Sequence, residues 1–341
     1  MLRIGEEAMT DKSPHTPLPT RRLGDSGLEA SLVGLGCNNF GGRLDADATA
    51  AVLEAALEAG ITFFDTADIY GGAGASERLM GAALEGRREE FLIATKFGWE
   101  MSGAEDAPAA ARGSREYIRW AVEGSLRRLR VDRIDLYQYH RPDGVTPIAE
   151  TLAALDELVG EGVVGAIGCS NVTVAELEEA ERVAGERGLT RFVTVQNEYS
   201  LLERGIEADV VPACERLGLS VLPFFPLAKG LLSGKYRRGE AGPEGTRLAG
   251  GEAGSAEQFD LVEGLEAFAA ERGIGLVDVA IAGLAAQPAV GSVIAGATRP
   301  EQVRANVAAL RWQPSAADLA ELDRIAPSAR RLGALFWPST K

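Results

Sequence analysis

Asp65, Tyr70, Lys96 and His140 stand at or just past the ends of three short apolar runs, residues 61–65, 91–96 and 134–140. An acid, a phenol, an ammonium and an imidazole gathered in one place are suited to giving a proton to a carbonyl oxygen. A tyrosine keeps its proton at neutral pH. An adjacent ammonium favours tyrosinate and so lowers that pKa, which makes a better general acid in one direction and a usable base in the other. Lys96 supplies the charge, and Asp65 the counter-charge that a buried ammonium needs. His140 supplies a hydrogen bond that fixes the oxygen. Each residue also has a plain structural reading: a surface lysine, a packing tyrosine, an aspartate closing a turn. The histidine carries more weight, because the chain has only two, His15 and His140. With His15 in a polar, proline-containing segment, they cannot build a His-rich catalytic metal site, and no metal is expected.

The elements that must position these groups alternate. Strand-like runs are expected at 31–35, 61–65, 91–95, 134–139, 164–168, 192–196, 220–224 and 292–294. Helical periodicity fills the intervals. One helix runs from about Asp47 to a stop at Gly60, and others start at Ser76, at Ser114, at Pro147 and at the capping-box sequence Thr173 to Glu176. Further helices are expected at 205–217, 255–271, 276–286 and 300–310, with a glycine-rich loop at 228–254. Eight strand–helix units point to a single (β/α)8 barrel of the TIM type, whose chemistry sits where the strands end. A doubly wound open sheet is the competing architecture, but the first strand lacks the GxGxxG turn. A hairpin around Asp25–Gly27 is expected to close the barrel bottom, and an extra helix at 315–325 and a tail at 332–341 follow the eighth unit. Residues 1–19, with Pro14, Pro17 and Pro19, read as a loose tail ahead of a barrel domain spanning 20–341.

A net charge of −15 argues against a nucleic-acid partner, which needs a basic footprint. A mean hydropathy of −0.02 and 46% hydrophobic residues suit a soluble domain with a full core. No apolar run is long enough to span a membrane, and no signal-peptide pattern opens the chain, so the cytoplasm is the expected location. Cys37, Cys169 and Cys214 have no metal or disulfide spacing and read as reduced thiols.

Segments 65–77 (DTADIYGGAGASE), 94–96 (ATK), 139–143 (YHRPD), 168–171 (GCSN), 196–202 (QNEYSLL), 225–236 (FPLAKGLLSGKY) and 294–306 (IAGATRPEQVRAN) together resemble the aldo-keto reductase family. The resemblance runs in order over residues 20–326, and is closest to the branch shared by bacterial reductases and potassium-channel β subunits. It implies hydride transfer between a nicotinamide cofactor and a small-molecule carbonyl, with Asp65, Tyr70, Lys96 and His140 as the catalytic set. It also implies that Ser170, Asn171 and Gln196 hold the nicotinamide carboxamide and that Phe224 stacks on the ring. By the same likeness Pro226, Leu227, Gly230 and Lys235 belong to the loop over the pyrophosphate. Gly296, Thr298, Arg299, Gln302 and Asn306 match the adenosine end, where a helix N-terminus favours phosphate. Many relatives carry a lysine at the position of Gly296 that grips the 2′-phosphate. Here Arg299, with Arg247, is expected to take that role through forked contacts, so NADPH (NADP+) is the expected cofactor.

For the substrate, Cys37, Asn38, Phe40, Trp99 and Trp337 are candidate walls, with Cys37 equally readable as a small buried apolar residue. Two other functions compete: a cofactor-sensing interaction protein of the channel β-subunit kind, and a Schiff-base aldolase using Lys96. The sequence leaves the particular carbonyl and the oligomeric state open.

Overall fold

The computed structural model describes residues 18–101 and 106–328. The expected tail at the N-terminus, residues 332–341 and the candidate Trp337 therefore lie wholly or largely outside the described residues.

A short antiparallel hairpin comes first, β1 (Thr20–Arg22) with β2 (Glu29–Ser31). Eight parallel strands follow: β3 (Val33–Gly36), β4 (Phe63–Asp65), β5 (Leu92–Phe97), β6 (Ile134–Tyr139), β7 (Val164–Ser170), β8 (Phe192–Gln196), β9 (Ser220–Val221) and β10 (Val293–Gly296). They pair in the order β10-β3-β4-β5-β6-β7-β8-β9. Bridges Val221 to Val290 and Phe224 to Ile294 join the two ends of that series, through Gly291 N–H to Val221 O at 2.9 Å and Ile294 N–H to Pro223 O at 3.0 Å. The sheet is thus a closed (β/α)8 barrel.

The helices α1 (Ala46–Glu58), α2 (Ala75–Ala83), α3 (Arg115–Leu129), α4 (Ile148–Gly160), α5 (Val174–Arg187) and α6 (Val210–Leu217) return the chain between successive strands. After β9, α7 (Ala256–Glu271) and α8 (Leu276–Ala285) precede β10, and α9 (Pro300–Ala308) and α10 (Ala316–Ile325) follow it.

The two-residue period of a strand builds two cores. Inward residues Phe63, Ala94, Leu136, Ala166, Leu222 and Ile294 fill the barrel, with Leu23 of the hairpin beneath them. Outward residues such as Leu35, Phe64, Ile93, Tyr137, Ile167, Val195 and Val293 pack against the helices. One inward step further toward the strand ends come Asp65, Lys96, Gln138 and Gly168, where Lys96 pairs with Gln138 and Gln138 with Gly168 in register. A polar layer therefore rests directly on an apolar one, which is how the barrel holds charged groups at its mouth.

Local chemistry explains where elements begin. Asp45 accepts from Ala48 N–H at 2.9 Å to open α1, Ser114 caps α3, and Thr173 with Glu176 forms the expected capping box of α5. Several boundaries differ from the sequence reading. The first run divides at Leu32, whose N–H bonds to Pro19 O at 2.8 Å, so Ser31 belongs to the hairpin. Ser76 is not an N-cap: α2 starts at Ala75 after a left-handed Gly74. The Ser76 hydroxyl instead donates to Cys37 O at 2.9 Å and pairs with Thr66 Oγ1 at 2.8 Å. The 205–217 segment divides into a 3-10 turn, Gly205–Ala208, and α6, because Asp209 turns its carboxylate onto Val210 N–H at 2.7 Å.

Candidate active site

β4, β5 and β6 deliver the reactive groups. Lys96 is fully buried, and its Nζ donates to Asp65 Oδ2 at 2.6 Å and to Thr66 O at 2.8 Å. The same ammonium lies 5.1 Å from the centre of the Tyr70 ring. Tyr70 and His140 meet edge to face, with ring centres 5.8 Å apart, and Trp99 also meets His140 edge to face at 5.9 Å. Burial alone would push Lys96 toward neutrality, but Asp65 and Tyr70 more than offset it, and its pKa is raised. Burial lowers the His140 pKa well below its ordinary value, and Lys96 adds to that, so the imidazole is neutral. The expected depression of Tyr70 is corrected: burial raises its pKa, and the nearby Lys96 charge opposes that rise without cancelling it. Tyr70 is thus a protonated phenol facing a cation. A lysine this enclosed and this firmly charged is a poor Schiff-base nucleophile, which needs a lowered pKa.

The residues matched to the nicotinamide lie beside this group. Ser170 Oγ donates to Gln196 O at 2.7 Å and accepts from Asn171 Nδ2 at 3.0 Å, and Asn171 Nδ2 also bonds to His140 O at 3.0 Å. Gln196 directs its Nε2 to Asp65 Oδ1 at 2.9 Å, which leaves Oε1 for a ligand's donor. Phe224 is half-buried, edge to face with Phe225 at 5.3 Å.

The loop after β9 then crosses the mouth. Pro226 and Leu227 lead into the 3-10 segment Ala228–Ser233, with Lys229 and Gly230 at positive φ. Lys235 is exposed and lies over the Tyr236 ring at 5.2 Å. The far side of the loop is pinned to the segment after β3: Arg247 lies 5.1 Å over the Phe225 ring and donates to Asn39 Oδ1 at 3.2 Å, and Arg43 donates to Gly245 O. Asn39 in turn donates to Ala297 O at 3.1 Å. Through Asn39, Arg247 is therefore linked to Ala297, in the turn from β10 into α9, the end where the sequence reading had it join Arg299.

At α9, Gly296 and Arg299 are exposed, and Arg299 takes the N-cap position without a side-chain cap. Gln302 Oε1 accepts from Thr298 N–H at 2.7 Å, and Asn306 is buried beneath.

Two candidate substrate walls are placed elsewhere. Cys37 and Phe40 are fully buried in the shell between sheet and helices, so they present no surface to a ligand. Asn38 stays partly exposed beside Gly296, and Trp99 is half-buried. The sequence reading overlooked Gln138, a buried amide donating to Asp65 Oδ1 at 3.1 Å. It also passed over Asn39 and Arg43, and Arg128, at the C-terminal end of α3, pairs with the fully buried Glu77 at 2.7 Å. A polar residue two places before His140, on the face that the strand period shares with Leu136, was the available signal for Gln138. Among the described residues, no group of three acidic, histidine or cysteine side chains could hold a metal ion. No described helix is long and apolar enough to cross a membrane.

Known proteins are similar to this chain in sequence. The sequence model of the aldo/keto reductase family matches residues 32–327, and the chain belongs to that family of oxidoreductases. It is 39% identical over 302 residues to the uncharacterized oxidoreductase YrpG of Bacillus subtilis (strain 168), across 84% of this chain and 90% of that protein. It is 35% identical over 325 residues to probable aldo-keto reductase 1 of Glycine max, covering 93% and 91% of the two chains. A probable voltage-gated potassium channel subunit beta of Oryza sativa subsp. japonica is 35% identical over 302 residues, covering 85% and 90%.

Proposed function

We propose that the protein reduces an aldehyde or ketone to an alcohol with NADPH, Tyr70 protonating the carbonyl oxygen. The observation that carries this is the juxtaposition of Tyr70 with a charged, buried Lys96 and a neutral His140. The residues present suit a dinucleotide. Gln196 Oε1 is left for the carboxamide, Gly296 has no side chain in the way, and no side chain caps the α9 N-terminus, whose dipole suits a phosphate. Arg299 is exposed there, which favours the extra phosphate of NADPH.

The nicotinamide supplies the hydride when bound. The chain's own groups do the rest. His140, neutral, donates a hydrogen bond to the carbonyl oxygen and fixes it beside the phenol. Tyr70 Oη gives that oxygen its proton as negative charge develops. Lys96 stabilises the phenolate left behind, and Asp65 keeps Lys96 in place. Trp99 excludes water from one side of the imidazole. The channel-subunit reading rests on relatives' names, and no feature of this site favours it.

Replacement of Tyr70 by Phe tests the assignment. Turnover on a carbonyl panel should fall by about 10²-fold or more, while NADPH still changes its fluorescence on binding. Near-normal kcat in that variant contradicts the role. Tighter binding of NADH than of NADPH would keep the reductase and overturn the Arg299 contact.

A further inference from the structure

Asp65 is held by more than Lys96. Its Oδ2 takes the ammonium at 2.6 Å, while its Oδ1 accepts two amide N–H groups, Gln138 Nε2 at 3.1 Å and Gln196 Nε2 at 2.9 Å. All four side chains are buried, Gln138 and Lys96 completely. The orientation of Gln138 follows from the chemistry, since a carboxylate only accepts and the amide must present its nitrogen. Its Oε1 is left buried with no partner. The barrel makes room for this side chain: a Cβ on Gly168 would fall 2.2 Å from Thr194 Oγ1 and 3.2 Å from Gln138 Cγ. An apolar residue like Leu136 one step below would fill the layer without leaving an acceptor unpaired. Of this amide only the donor has a partner, and that partner is Asp65.

We propose that Gln138 is a positioning residue of the catalytic set, which with Gln196 disperses the Asp65 charge so that more of the Lys96 charge acts on Tyr70. This rests on the proposed role of Tyr70 as the acid. The charges facing Tyr70 come from every side: Asp65 on β4, Lys96 on β5, the Cys37 thiol after β3, neutral His140 beyond β6, and Arg247 from the crossing loop. Asp68, Glu77 and Arg128 lie behind Lys96. Of the immediate neighbours, Asp65 disfavours phenolate and Lys96 favours it. A donor removed from Asp65 leaves its negative charge less shared, and phenolate forms less readily. The two glutamines differ in one respect: Gln196 has a free Oε1 directed to the cofactor site, and Gln138 serves Asp65 alone.

The experiment is a titration of cofactor-free protein carrying ¹³Cζ-tyrosine, with Tyr70 assigned by its loss in Tyr70→Phe. It is run on wild type, Gln138→Met, Gln138→Leu and Gln196→Met, with the pH profile of carbonyl reduction measured alongside. The Tyr70 midpoint, and the alkaline limb of kcat/KM, should move upward by roughly half a pH unit or more in each folded variant. NADPH affinity should weaken in Gln196→Met and stay within about twofold in the Gln138 variants. An unmoved midpoint in the variants that fold, with a uniform loss of rate, overturns the proposal and leaves Gln138 a packing residue. A moved midpoint without any turnover in wild type would uphold the charge relation and refute the reductase reading.

Discussion

The behaviour of Lys96, Tyr70 and His140 is set by burial as much as by neighbours. Lys96 stays charged because Asp65 is 2.6 Å away, whereas His140 has no such partner and is held neutral. This has a consequence for stability. Below the ordinary imidazole value of about 6.5 the unfolded chain binds a proton at this position that the folded protein refuses. The His140 contribution to stability is therefore present above that pH and is lost as pH falls toward the folded value. Wild type should lose more of its melting temperature between pH 7 and pH 5 than His140→Asn does. Equal losses in the two proteins would mean that the imidazole titrates normally. The four residue types and their strand-end positions were legible in the chain. The direction of the Tyr70 shift was not, because desolvation depends on the walls around a side chain, and those come from other strands, His140 past β6 and Lys96 of β5 among them.

At the scale of elements, β6 is the informative strand. Leu136, Gln138 and His140 follow the inward period, so one strand contributes core, anchor and imidazole. Its neighbour β7 must then be thin. Gly168→Ala should cost about 1–3 kcal/mol through overpacking against Thr194 and Gln138, read as a lowered denaturation midpoint at unchanged slope. A variant as stable as wild type would show that the barrel wall yields there. Helix starts with a side-chain cap, at Ser114 and Thr173, were readable because the cap and its target are three residues apart. The start of α2 was misread because Ser76 finds its partners across the fold, at Cys37 and Thr66, and so escapes any local rule. The same holds for Arg128, whose buried partner Glu77 is on another helix.

Over the whole molecule, the hairpin and the crossing loop close opposite ends of one barrel. Leu23 plugs the bottom under Phe63, Ala94 and Ile294, and Arg21 fixes the hairpin with bonds to Gln287 O at 2.8 Å and Val290 O at 2.7 Å. Leu23→Ala should destabilise the fold by about 2–5 kcal/mol yet leave NADPH affinity unchanged, since the plug lies a full layer beneath Asp65. Coupled loss of cofactor binding at low temperature, where the variant is folded, would show that the bottom layer positions the mouth. Taken alone, the sequence determined the alternation of strands and helices, the barrel and the residues able to do the chemistry, because strand and helix periods and strand-end positions are local properties of the chain. Only the tertiary structure decided that Cys37 and Phe40 face the core, that Arg247 reaches Asn39, and that two glutamines from β6 and β8 converge on Asp65. Those outcomes depend on barrel closure, which brings together side chains far apart along the chain: Gln138 and Asp65 are 73 positions apart, Gln196 and Asp65 131, and Arg247 and Asn39 208.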